Sequence, residues 1–293
     1  MNFAEIISKI FLPISLAIIM LGMGMSLIPQ DFKRIINYPK AVLLGLINQL
    51  VILPIIGFIL AIVFNLSPTM SVGIIILAIC PGGPTSNLIV QICKGNIALS
   101  VTLTAISSFI CVFTIPYILF YTLNYFESAM PVAINLPIID TITQIMGITI
   151  LPIITGMLIR KYKTSFAVRM KGTMRKVSTV IFILVFIAVI TTNFNIVITG
   201  LKSVGLVMLL LNIVTIGIGY FTSRLLKLDR KSSISITIES GIQNGTLAFV
   251  IATSILYNIE MAIPTAAYVI WMYFSSTIMI WQLTKTKKIK FTK

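Results

Sequence analysis

Residues 70–96 read MSVGIIILAICPGGPTSNLIVQICKGN, and residues 232–258 read SSISITIESGIQNGTLAFVIATSILYN. Both are apolar runs interrupted where a helix cannot continue. In the first, Pro81-Gly82-Gly83-Pro84 combines two residues that lack an N–H donor with two that cost backbone order. Pro84 suits the first turn of a new helix, with Thr85 or Ser86 placed to satisfy exposed N–H groups. In the second, Gly241 and Gly245 bracket Gln243-Asn244, directly after Glu239-Ser240.

The solvent around these runs follows from composition. Of 293 residues, 58% are apolar, against about 45–50% in soluble domains. Lys and Arg number 22 and Asp and Glu 7, for a net charge of +15, and mean hydropathy is +1.07. Lipid is therefore the expected solvent. The chain contains no histidine, which excludes His-metal sites and Ser–His or Cys–His catalysis. Cys80, Cys93 and Cys111 are odd in number, lie in or beside apolar segments and lack CxxC spacing. They read as packing residues rather than a disulfide framework or redox site.

Windows of about 20 apolar residues mark membrane helices. Nine are expected, near 10–28, 41–64, 70–93, 96–120, 136–159, 177–198, 204–223, 233–257 and 263–283. The first is too long for the apolar core of a signal peptide, and no A-x-A-like site follows it, so it reads as a span. Little chain remains for a soluble module. With nine spans, Lys9 and Lys202 fall on one side of the membrane and the other twenty Lys and Arg on the opposite side. The positive-inside rule then puts the N-terminus outside and the C-terminus in the cytoplasm, with the plasma membrane as the expected location. The basic residues are orientation signals with a secondary role in anionic-lipid contact, and a nucleic-acid partner is not expected. No protein partner is predicted either.

No Lys or Arg lies deep in a span. Asp140 sits near the outer start of the fifth, where it is hydrated or capping; Glu239 lies near the middle of the eighth. The two interruptions are five spans apart, so their helices run in opposite directions. Laying spans one to four over six to nine makes the breaks coincide, which predicts an inverted-topology repeat with the fifth span left over. The rival reading of each break is a kink used only for packing.

The stretches PGGPTSN (81–87), KGNIALSVTLTAISS (94–108) and ESGIQNGTLA (239–248) resemble the bile acid:sodium symporter family, in a bacterial form. LGMGMSLIPQDF (21–32), GLINQLVILP (45–54) and GIGY (217–220) support the resemblance, which covers nearly the whole chain. It implies an all-α polytopic membrane protein of nine transmembrane helices, rather than the ten frequent in bacterial members, with two broken helices crossing. It also implies a panel domain (1–40 and 136–199, spans one, five and six) and a core domain (41–126 and 200–283), followed by a basic cytoplasmic tail (284–293). Two sodium ions are implied behind the crossover. Ser86, Asn87, Ser100, Thr104 and Glu239 would hold the first; Gln49, Glu239, Gln243 and the carbonyls of Ser240 and Ile242 would hold the second. One position departs from the pattern: the family commonly has a small or hydroxyl residue after PGG, and this chain has Pro84.

The chemistry of these residues agrees with that set. Sodium takes hard oxygen ligands, and every side chain named carries one. Ser100 and Thr104 are four apart, on one helix face. One carboxylate shared by two Na⁺ leaves about +1, which an anionic substrate neutralises. The expected function is sodium-coupled import of an organic anion, bile-acid-like or a smaller carboxylate, by alternating access. With no deep cation, the substrate meets half-helix N-termini, backbone N–H groups and polar side chains, Thr85, Asn244 and Thr246 being the candidates. Trp271, Met272, Tyr273 and Phe274 read either as lipid and helix packing or as a pocket wall. Two rivals remain. One is a proton-coupled or sodium-independent carrier or exporter with Glu239 as the proton carrier. The other, a membrane-embedded enzyme, lacks a base to activate a nucleophile.

Overall fold

A computed structural model of the chain describes residues 10–126, 136–192 and 194–285. Among them every regular element is helical. Their order is α1 (Leu12–Gly24), α2 (Pro29–Asn37), α3 (Pro39–Val63), α4 (Pro68–Ile79), α5 (Pro84–Ile92), α6 (Ile97–Phe126), α7 (Ile138–Tyr162), α8 (Thr164–Thr192), α9 (Phe194–Leu225), α10 (Arg230–Gly241), α11 (Gly245–Ile255) and α12 (Ile263–Lys285). Five of these segments, α3, α6, α7, α9 and α12 with the short 3₁₀ turn before it, are long and apolar enough to cross a membrane. Residues 1–9 of the expected panel, the connection 127–135 and residues 286–293 of the basic tail lie outside the described residues.

Polarity is arranged inside out relative to a water-soluble protein. Ser86, Ser100, Thr104, Asn212 and Ser235 are fully buried, whereas Ile55, Ile59, Ile62 and Val63 of α3 are exposed. On α6, Phe113, Tyr117, Tyr121 and Tyr125 recur every four residues as one exposed stripe. Lipid costs these side chains nothing, while backbone and hydroxyl groups must find partners inside. The chain is thus a multi-pass membrane protein.

Local chemistry explains the irregularities. Pro54 and Pro152 lack N–H groups, and each follows a π turn, Asn48–Ile52 and Met146–Ile150, that widens the helix just before the Leu-Pro pair. The first of these turns carries Gln49 into the interior. At residues 94–96, Lys94 adopts a left-handed backbone and a Cβ at Gly95 would lie 2.9 Å from Ser235 Oγ. Asn96 then caps α6 through Leu99 N–H (3.1 Å) and ties it to α10 through Lys231 and Ser235.

Asp229 caps α10 by accepting from the N–H groups of Lys231 and Ser232 (2.9 and 3.1 Å). Its partial burial works against ionisation, but the Ser232 and Lys231 hydrogen bonds outweigh it and hold the carboxyl below its ordinary value. A depressed folded value means the cap's contribution is complete above the ordinary value and is lost as pH falls through the folded one. Asp229→Ala is expected to cost about 1 kcal/mol, read as a lower melting temperature at neutral pH, with the difference from wild type shrinking in acid.

The expected connection at 199–203 is helical. Gly200 and Lys202 fall in the connection expected at 199–203, yet they lie inside α9, which starts at Phe194. The glycine at 200 serves packing rather than a turn: a Cβ there would lie 2.6 Å from Ile263 Cδ1 and 3.0 Å from Met70 Cε. Asp140 is exposed in the first turn of α7, where a carboxylate favours the helix N-terminus.

α1 packs against α7 and α8. Its contact with α7 is backbone to backbone, since a Cβ at Gly156 would lie 2.7 Å from Met25 N and 2.9 Å from Gly24 C. Close approach of small residues substitutes for the hydrophobic drive that lipid removes. Gly156→Val is expected to lower the melting temperature in detergent by several degrees, overpacking costing about 1–3 kcal/mol.

Candidate functional site

The two breaks meet. α4 ends at Ile79 and α5 begins at Pro84; α10 ends at Gly241 and α11 begins at Gly245. Between them Gly82 and Gln243 form an antiparallel bridge. Gly83 N–H donates to Ile242 O (3.2 Å), and Asn244 N–H to Pro81 O (2.9 Å). Broken backbone in lipid requires such partners, and each break supplies the other's. Both glycines are needed for the approach. A Cβ at Gly82 would lie 2.7 Å from Glu239 Oε2, and one at Gly83 would lie 2.8 Å from Gln243 O.

Glu239, 5% exposed, sits two residues before the end of α10 and faces three hydroxyls from two other helices. Ser86 Oγ lies 2.6 Å from Oε1, Ser100 Oγ donates to the same oxygen, and Thr104 Oγ1 lies 3.0 Å from Oε2. Asn87 Oδ1, 2.8 Å from Ser100 Oγ, shares that same proton. All five residues expected around the first ion are therefore brought together. Ser86 does not cap α5 as anticipated. No side chain caps that helix, and the Ser86 proton is shared between Glu239 and the Gly83 carbonyl (2.8 Å). A buried carboxylate is the stronger acceptor, so the hydroxyl turns towards it.

The second expected set gathers next to the first. Gln49 Nε2 donates to Cys80 O (2.8 Å) and Gln243 Oε1 (2.5 Å), while Gln243 Nε2 donates to Ser240 O (3.0 Å). The Ile242 carbonyl accepts from Gly83. Gln49, Gln243, Ser240 and Ile242 thus form one oxygen-rich cluster at the crossover, extended by the Cys80 carbonyl, which had no sequence signal. Among the described residues, no group of three or more Asp, Glu, Cys or His side chains could hold a metal. One carboxylate among hydroxyl, amide and carbonyl oxygens suits a monovalent hard cation.

A cavity of about 190 Å³ lies beside the crossover, between α1 and the half-helix starts, with Asn87 and Gln243 in its lining. Thr85, Asn87, Asn244 and Thr246 line it with Met272 and Tyr273, and Met23 of α1 and Leu27, just beyond it, also line it. All three expected substrate contacts share this lining. Asn244 Oδ1 caps α11 through Leu247 N–H (3.1 Å), while its Nδ2 is buried without a hydrogen-bond partner. The aromatic run of α12 divides: Met272 and Tyr273 face the cavity, Trp271 donates to Gly205 O (2.8 Å) on α9, and Phe274 is exposed. Sequence reading missed Asn212 and Tyr268, both fully buried beside the break. A lone Asn inside the apolar run LLLNIV (209–214) was the available signal.

Fold and site together define a polytopic helical membrane protein built around two interrupted helices, the construction of secondary transporters. The Sodium Bile acid symporter family matches residues 13–200. The chain belongs to that family. It is 30% identical over 96% of its length to an uncharacterized sodium-dependent transporter, YocS, of Bacillus subtilis, covering 85% of that protein. It is 28% identical over 94% of its length to a probable sodium/metabolite cotransporter, BASS1, of Arabidopsis thaliana chloroplasts, covering 68% of it. The human ileal sodium/bile acid cotransporter is 30% identical over 54% of this chain and 45% of its own length. These relatives are transporters by name, and the chain is a transporter rather than an enzyme.

Proposed function

We propose that the chain imports an organic anion across the plasma membrane by alternating access, driven by two sodium ions. It does so with nine transmembrane helices, arranged as an inverted repeat with the N-terminus outside. The convergence of Ser86, Ser100 and Thr104 on Glu239 carries this reading. Each hydroxyl now donates to the carboxylate and keeps lone pairs for a cation placed among them. The first ion lies there, with Asn87; the second lies at Gln49, Gln243, Glu239 and the Ser240 and Ile242 carbonyls. Because these ligands come from both breaks, sodium ties the two broken helices together and shapes the cavity wall. Spans one, five and six act as the panel, a grouping supported by the packing of α1 on α7 and α8. Lys161, Arg224 and Lys285 lie over Tyr162, Tyr220 and Trp281 (5.3, 5.8 and 4.0 Å to the ring centres). These pairs sit at the basic ends of three helices and support a cytoplasmic boundary there.

The substrate carboxylate meets Asn244 Nδ2, Thr85 and Thr246 at the starts of α5 and α11, and its apolar body lies against Met23, Leu27 and Met272. Pro84 removes one N–H from the α5 tip, which leaves more of the recognition to side chains. A tenfold Na⁺ gradient supplies about 1.4 kcal/mol per ion, and 100 mV adds about 2.3 kcal/mol per net charge moved inward.

The test is uptake of radiolabelled carboxylates, from pyruvate-sized keto acids to taurocholate, into proteoliposomes under an inward Na⁺ gradient. Uptake that collapses when K⁺ replaces Na⁺ is the expected result. Flux driven by a pH gradient and indifferent to Na⁺ transfers Glu239 to the proton-carrier role. Asn244→Asp keeps the cap acceptor but exchanges the donor for a negative charge. It is expected to raise KM for the anion at least tenfold while leaving sodium-dependent stabilisation intact.

A further inference from the structure

We propose that Asn212 and Tyr268 are positioning residues that clamp the Gly241 carbonyl and thereby aim the flanking Ser240 and Ile242 carbonyls at the cation; this rests on the sodium reading above. Gly241 is the last residue of α10, and its carbonyl has lost its helical partner: the N–H of Gly245, four residues on, donates to Gln243 O instead (3.0 Å). Left alone, that carbonyl would be an orphan buried at mid-membrane. Two side chains from different helices donate to it, Asn212 Nδ2 of α9 and Tyr268 Oη of α12, both at 3.0 Å.

The consequence lies in the next peptide. Ile242 is extended (φ −116°, ψ 104°), and successive carbonyls of an extended strand point to opposite sides. Holding the Gly241 carbonyl towards α9 and α12 turns the Ile242 carbonyl towards the other break, where it meets Gly83 N–H. Packing leaves the clamp little freedom. A Cβ at Gly219 would lie 2.8 Å from Ser240 Oγ and 2.9 Å from Thr237 Cα, and one at Gly241 would strike Ile216. Asn212 makes its donation at a cost, because its Oδ1 is buried with no hydrogen-bond partner. A residue kept for packing alone would not leave an amide oxygen unsatisfied in a fully buried position.

The test compares wild type with Tyr268→Phe and Asn212→Leu, which remove one donor each at nearly constant volume. Three quantities are measured: melting temperature in K⁺, the Na⁺ concentration at half-maximal stabilisation, and KM for the transported anion at saturating Na⁺. Each single variant is expected to raise the Na⁺ midpoint about 3–10-fold, the loss of one buried hydrogen bond, and the double variant further. KM at saturating Na⁺ stays within about twofold. Asn212→Gln, which retains an amide donor, recovers part of the midpoint. A lowered melting temperature with an unchanged Na⁺ midpoint overturns the clamp and leaves these residues structural. Should Tyr268→Phe not fold, Asn212→Leu and Asn212→Ser decide the question by the same midpoint. A wild type indifferent to Na⁺ overturns the parent reading and the clamp with it, whereas a responsive wild type with variants that keep the wild-type Na⁺ midpoint overturns the clamp alone.

Discussion

Glu239→Ala is expected to abolish the difference between Na⁺ and K⁺ in both uptake and thermal stability. In wild type, Na⁺ replacing K⁺ at fixed ionic strength is expected to raise the melting temperature saturably, since a ligand that binds only the folded state adds about 2.7 kcal/mol at a hundredfold excess over Kd. Glu239 is the single carboxylate among the oxygens of both clusters, so no neighbouring group replaces its charge. The variant's stability in K⁺ is a separate quantity. Removing the side chain deprives three buried hydroxyls of an acceptor but also relieves a buried carboxylate of its desolvation, and these effects oppose one another. The diagnostic is therefore the sodium increment and not the absolute melting temperature. Glu239→Gln preserves shape and an acceptor oxygen and is expected to lose the increment as well, which separates charge from packing. A sodium response retained in either variant would remove Glu239 from the ion sites.

Substitution of the adjacent glycines is expected to give two different failures. A Cβ on residue 82 meets the Glu239 carboxylate, the mobile end of a side chain, at 2.7 Å; a Cβ on residue 83 meets the Gln243 backbone carbonyl at 2.8 Å. Gly82→Ala displaces Glu239 from the hydroxyls of Thr104 and Ser100, so it should raise the Na⁺ midpoint at least tenfold with a small change in melting temperature in K⁺. Gly83→Ala pushes the two backbones apart at their bridge and should destabilise the fold by about 1–3 kcal/mol or prevent recovery of monodisperse protein. Parallel melting curves in K⁺ and Na⁺ for the two variants check both statements. Equal loss of stability with intact sodium midpoints would show that Gly82 serves packing alone.

Much of the site was legible because its residues break local rules. Pro-Gly-Gly-Pro cannot be helical, and Glu239 cannot lie unpaired at mid-membrane, so each announces itself without neighbours. Ser100 and Thr104 share a face by helix geometry alone. The function of Gly200 was not legible, because a glycine that makes a turn and one that lets two helices touch look alike in sequence. For the same reason a connection was expected at 199–203, where the chain is helical. Asn212 and Tyr268 escaped notice because neither belongs to a motif, and their common partner is a backbone carbonyl, which no side chain code reveals.

By itself the sequence determined the solvent, the helical class and the two places where helices must stop, since these follow from transfer energies and backbone sterics of residues taken in order. The tertiary structure alone decided which oxygens face which. Ser86 meets Glu239 across 153 residues of chain, Gln49 meets Gln243 across 194, and Asn212 meets the Gly241 carbonyl from a separate helix. Such pairings depend on how helices cross and on hydrogen bonds that broken backbone must find in the absence of water, and those are properties of the assembled interior.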